Sequence, residues 1–207
     1  MSDQRPDDDS GVATDGRTAR RDRNRDAVLD AVLDMFREGA IDPNPAEVAE
    51  RSGVSRRSVY RYFEDMEALV RAAMDRHYLR IVHLFEMADL GVGPLDGRIE
   101  RMVSQRVHLF DAVGPMARVA LARARTNELI RERMETNRHR LQDQLEAMFA
   151  PELRALPVRA AKEVAAALEV LLGFEAVDFL LQERDLAVAG AERVLRRAVT
   201  AILTAAP

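Results

Sequence analysis

Apolar residues recur every three to four positions along most of the chain, the spacing of one face of an α-helix. Between Arg21 and Gly39, Val28, Leu29, Val32, Leu33 and Phe36 follow this spacing, and Gly39 supplies a stop. Asn44 and Pro45 open a short second helix carrying Val48 and Ala49, with Glu47 at capping-box distance from Asn44. Ser52-Gly53-Val54 ends it, and Gly53 suits the left-handed conformation of a helix stop. Ser55 then caps a third helix with Arg56, Arg57, Ser58, Tyr60, Arg61 and Tyr62. Two short helices on a tight turn, the second basic and aromatic, form a helix-turn-helix suited to the DNA major groove.

From Asp65 a long helix is expected to about Ala88, lined by Leu69, Val70, Ala73, Met74, His77, Tyr78, Ile81 and Phe85. The loop at 90–97 punctuates the chain. Beyond it, helices are expected near 96–113, 115–123, 125–149, 157–184 and 189–204, with breaks at Gly114-Pro115, Pro151 and Pro157. No strand alternation and no hairpin signal occurs, so the fold class is all-α.

The stretch EVAERSGVSRRSVYRYFEDMEAL resembles the DNA-binding signature of TetR-family transcriptional regulators. Val48, Ala49, Gly53, Val54, Ser55, Val59, Tyr60, Tyr62, Phe63 and Leu69 fit that pattern, and the likeness runs roughly over residues 26–70. Met66 departs from it, standing where the family usually has a phosphate-binding lysine. The resemblance implies nine or ten helices. Three make the DNA-binding domain, and the fourth bridges to a helical ligand-binding and dimerisation bundle. Residues 1–18, polar, charged and without periodicity, read as an acidic, disordered tail, and the resemblance implies a helix-turn-helix domain at 19–64, a bridging helix at 65–88 and a regulatory domain at 89–207. It also implies that Tyr60 and Tyr62 hold phosphates while Val59 and Phe63 pack the core. Packing of the tyrosine rings is the competing account.

Charge changes the picture locally. The net charge of −4 is unusual for a DNA-binding chain. However, residues 1–16 hold five Asp against one Arg, and residues 17–25 hold five Arg against one Asp. A local positive face suffices for DNA. The Arg17–Arg25 run reads either as an arm along DNA or as a flexible solubilising tail. Of 31 basic residues only Lys162 is lysine, a bias that suits a GC-rich genome. There is no cysteine, no run of eighteen apolar residues and no secretory leader pattern at the start, so a cytoplasmic protein is expected.

Arg56, Arg57 and Ser58 are the candidate base readers, since an arginine fork matches guanine O6 and N7. A solvated basic face is the alternative. Ser55, Tyr60, Arg61, Tyr62 and Arg25 are the candidate phosphate contacts. Met102, Phe110, Met116, Met134, Phe149 and Phe174 are candidates for an adaptable apolar pocket, with core packing the default for each. Glu175 and Asp178 read either as pocket carboxylates or as rim residues paired with Arg or facing water. In the homodimer that the resemblance implies, the apolar segment 157–184 and the last helix would build an intersubunit bundle. His77, His83, His108 and His139 show no metal-ligand spacing, and the glycines at 91, 93 and 97 miss the dinucleotide pattern. No enzyme, metal or cofactor is expected. The partners expected are double-stranded DNA, a small-molecule effector and a second copy of the chain.

Overall fold

The computed structural model describes the backbone of residues 11–205 and the side chains of residues 16–205. Among the described residues ten α-helices follow one another: α1 Gly11–Arg37, α2 Pro45–Ser52, α3 Arg56–Tyr62, α4 Met66–Ile81, α5 Leu95–Arg123, α6 Glu128–Met148, α7 Ala150–Arg154, α8 Val158–Leu171, α9 Phe174–Asp178 and α10 Val188–Ala205. A 3-10 turn, Val82–Phe85, follows α4, and a π-helical turn, Phe179–Glu183, follows α9. No strand occurs among the described residues. The all-α expectation holds.

The chain divides into two compact units between Arg80 and Ile81. This division falls within the segment 65–88 expected as a bridging helix, and α4 is tied to α1 by ion pairs. Arg76 reaches Asp26 at 2.6 Å and Asp30 at 3.3 Å, and Arg80 reaches Asp30 at 3.3 Å. Within this unit Val28, Leu29, Val32, Leu33 and Phe36 of α1 are buried, together with Val48, Val59, Phe63, Leu69, Val70 and Ala73.

Four expectations are corrected. Helix α1 begins at Gly11, so residues 11–18 are not an unstructured tail, and the Arg17–Arg25 run forms helical turns. Arg and Ala favour helix strongly enough to extend it. The expectation for residues 1–10 lies outside the described residues. The long helix from 65 stops at Ile81, where the backbone tightens into the 3-10 turn. Gly114-Pro115 does not interrupt α5, which runs through both residues. Val113, Gly114 and Met116 are buried around the proline, so tertiary packing overrides the local cost of Pro.

The expected helix at 157–184 is likewise three pieces, α8, α9 and the π turn. Gly173 makes the first break. Its backbone is extended at φ −81°, ψ 165°, and a Cβ there would lie 2.9 Å from the carbonyl oxygen of Glu169. In the second unit one apolar core joins Ile99, Met102, Val103, Val107 and Phe110 of α5 to residues of α6, α8 and α10. Lys162 stands exposed on α8.

Candidate nucleic-acid interface

The turn between α2 and α3 forms as local chemistry dictates. Asn44 caps α2 by accepting from the Ala46 amide at 2.8 Å, with Pro45 in the first helical position. Gly53 adopts φ +65° and its amide bonds back to Glu50, closing α2 in the left-handed conformation. Ser55 then caps α3, accepting from the Ser58 amide at 3.3 Å. Val54, Val59 and Phe63 are buried, which fixes the inner face of α3.

The outer face carries the candidate contacts. Arg56, Arg57, Tyr60 and Arg61 are exposed, and Tyr60 keeps 47% of its surface in solvent. Neither Arg56 nor Arg57 has an ion-pair or hydrogen-bond partner among the described residues, so both guanidinium forks are available. Ser58 is placed differently: its hydroxyl sits 3.1 Å from that of Ser55 and accepts from Arg61 at 3.4 Å.

Tyr62 is half-buried and held by two donors, Arg61 at 3.3 Å and Asn24 of α1 at 3.5 Å. These bonds, Arg61 first, draw its phenol below the usual range. Because the oxygen accepts both bonds, its own hydrogen is left to donate outward. Arg61 also lies over the Tyr62 ring, 5.3 Å from its centroid. Arg25 lies over Phe63 at 5.2 Å, so this expected phosphate contact stands beside the end of α3. Met66 is the first residue of α4, beside the cap made by Asp65, which accepts from the Ala68 amide at 2.7 Å.

The remaining candidates lie in the second unit. Met102, Phe110 and Phe149 belong to its core, Phe174 packs against it, and Phe110 meets Phe174 edge-on at 5.7 Å. Met116 is buried and Met134 half-buried. Glu175 is exposed. Asp178 pairs with Arg118 at 2.6 Å, the arginine-paired alternative of the two readings.

Sequence reasoning missed how this head is fastened. Asp26, Asp30 and Asp34 of α1 and Glu38 just past its end stand four apart, and each meets an arginine. Arg76 and Arg80 take the first two, Arg37 pairs with Asp34, and Arg51 of α2 reaches Glu38 at 2.6 Å. The i,i+4 row was visible in the sequence, as was the matching spacing of Arg76 and Arg80.

Residues 28–73 match the sequence model described as bacterial regulatory proteins of the tetR family. The chain is 34% identical over 92 residues to the HTH-type transcriptional repressor LfrR of Mycolicibacterium smegmatis. That alignment takes in 43% of this chain and 47% of the relative, so it spans about half the relative's length. A transcriptional regulator from Rhodococcus sp. Rha1 superposes with a TM-score of 0.62 at 19% identity, covering 90% of this chain and 97% of that one. A TetR transcription regulator from Haloarcula marismortui gives 0.59 at 15% identity, covering 88% and 97%. These two likenesses speak for the fold. In its N-terminal helix-turn-helix head, the chain is similar to the TetR family of bacterial regulatory proteins.

Proposed function

We propose that this protein is a homodimeric transcriptional repressor that leaves a palindromic operator when a small molecule binds its second unit. The observation that carries this reading is α3: a capped, exposed helix inside the family-matched segment, with Arg56 and Arg57 unengaged in its first turn. The family is one of DNA-binding regulators and not of enzymes. The named repressor among its relatives supports repression over activation.

In this reading Arg56, Arg57 and Ser58 read base edges, while Ser55, Tyr60, Arg61, Tyr62 and Arg25 hold phosphates. Two heads of a dimer enter successive major grooves about 34–36 Å apart. The dimer forms through α8 and α10. Val158, Val170 and Val194 support this, since each exposes between 46% and 76% of its surface there. The effector lies among Met102, Phe110, Met116, Met134, Phe149 and Phe174, with Glu175 and the Arg118-paired Asp178 at the rim. Helix α4 is the link, and differential effector affinity of about 1–3 kcal/mol shifts the dimer off DNA. Such a protein works in the cytoplasm, where the DNA is. No described helix is long and apolar enough to cross a membrane.

Selection of bound sites from random DNA tests the reading. An enriched palindrome is the expected outcome, whereas equal affinity for every sequence sinks it.

A further inference from the structure

Helix α5 buries two arginines on its apolar side, and their surroundings differ in kind. Arg98 is 4% exposed and forms a two-bonded pair with Glu152, its Nη1 lying 2.7 Å from Oε2. It also donates to the carbonyls of Met148 and Gly93. The Glu152 bond raises its pKa. Arg106, eight residues on, is 1% exposed and has no carboxylate partner among the described residues. Its Nη1 donates to Gln105 Oε1 at 2.6 Å and Gln144 Oε1 at 3.1 Å, and its Nη2 to the Leu141 carbonyl at 2.8 Å. Burial alone lowers its guanidinium to about 10. A charge taken out of water and met only by neutral acceptors is costly to the fold until a counter-charge arrives.

The same two glutamines hold a second group. Gln105 Nε2 donates to the Leu84 carbonyl at 2.8 Å and Gln144 Nε2 to the Phe85 carbonyl at 2.6 Å. Leu84 and Phe85 close the 3-10 turn that follows α4. One turn to either side of Arg106 on α5 stand Met102 and Phe110, both buried. Arg106 is thus a single cation set among apolar side chains, and its acceptors are shared with the backbone leading out of α4.

We propose that Arg106 is the receptor for an anionic effector, a small molecule with a carboxylate and an apolar body. The carboxylate displaces the Gln105 and Gln144 amides and so releases the turn at 82–85. This rests on the ligand-responsive reading above and adds the chemical class of the ligand. A carboxylate meets the guanidinium fork with two charge-assisted bonds where two amide oxygens stood. The apolar body packs against Met102 and Phe110, the first of which adapts its shape readily. The displaced glutamines let go of the Leu84 and Phe85 carbonyls, which gives binding a mechanical outlet beside α4.

The test is thermal unfolding of the full-length protein with the straight-chain carboxylates from acetate to octanoate and with benzoate, each beside its neutral amide. Amide exchange over residues 82–88 is followed in parallel. The expected result is that at least one acid raises the midpoint by roughly 5–10 °C at a hundredfold excess over its dissociation constant, while its amide does not. Exchange at the turn then quickens. Arg106→Met removes the response. Because that change can unfold the chain, Gln144→Glu is the second variant: it supplies the carboxylate internally, so it melts higher than the parent and no longer responds. Equal response to acid and amide, no response to any acid, or a full response in Gln144→Glu overturns the proposal. Adding the stabilising acid to the DNA complex separates the two readings. Stabilisation without release leaves the anion site standing and removes the repressor mechanism. Release by a neutral compound that Gln144→Glu does not affect leaves the mechanism and removes the site.

Discussion

At the scale of single residues, Arg56 and Arg57 are exposed and unengaged, while Ser58 and Arg61 are bound into a local network. Arg56→Ala and Arg57→Ala are each expected to lower discrimination between the selected site and random DNA by about 1–3 kcal/mol for every arginine–guanine pair removed. Competition binding at fixed salt measures this; unchanged discrimination in both variants places the two arginines on phosphate or water. His77 of α4 is pushed below the ordinary imidazole range, first by burial and then by Arg37 and Arg80, and its Nε2 is buried without a partner. Because the unfolded chain takes up this proton at a higher pH than the folded one, stability falls as pH drops through the unfolded value near 6.5. The decline ends below the depressed folded value. His77→Leu is therefore expected to flatten the change in melting midpoint between neutral pH and mildly acidic solution. A parallel decline in parent and variant removes His77 from the account.

At the scale of elements, local rules were sufficient where the partner lies within a turn, and failed where it lies far along the chain. Asn44, Gly53 and Ser55 were legible because each bonds within three residues of itself. The inward set Val28, Leu29, Val32, Leu33 and Phe36 was legible from spacing alone. The course of α5 through Gly114-Pro115 was not, since the residues that outweigh the proline come from elements far from it in sequence. The same holds for Arg106, whose partner Gln144 stands 38 residues away. Gly173 tests the opposite case, a break written by one residue. A methyl group there meets the Glu169 carbonyl at 2.9 Å, so Gly173→Ala is expected to destabilise the second unit by about 1–3 kcal/mol. Urea unfolding reads the difference, and an unchanged midpoint would show that α8 and α9 absorb the methyl group freely.

At the scale of the whole molecule, the acidic total of −4 coexists with a basic α3 face because acidic side chains are engaged elsewhere. Asp26, Asp30 and Asp34 of α1 and Glu38 just beyond it are each paired with an arginine, which leaves the exposed arginines of α3 to set the local potential. Arg25→Ala and Arg61→Ala are each expected to reduce the slope of log affinity against log salt by about one, with weakening spread evenly over sequences. A constant slope in both would remove them from the phosphate contacts. Lys162 has a practical consequence of its own. Its ammonium is exposed on α8, and no other side chain in the protein carries a primary amine. An acylating reagent thus finds one side-chain amine, on a helix proposed above for the dimer contact, and the mass increment on the peptide carrying Lys162 reports on that surface. If α8 is covered when protomers associate, the rate of that one modification becomes a gauge of self-association, slowing as protein concentration rises.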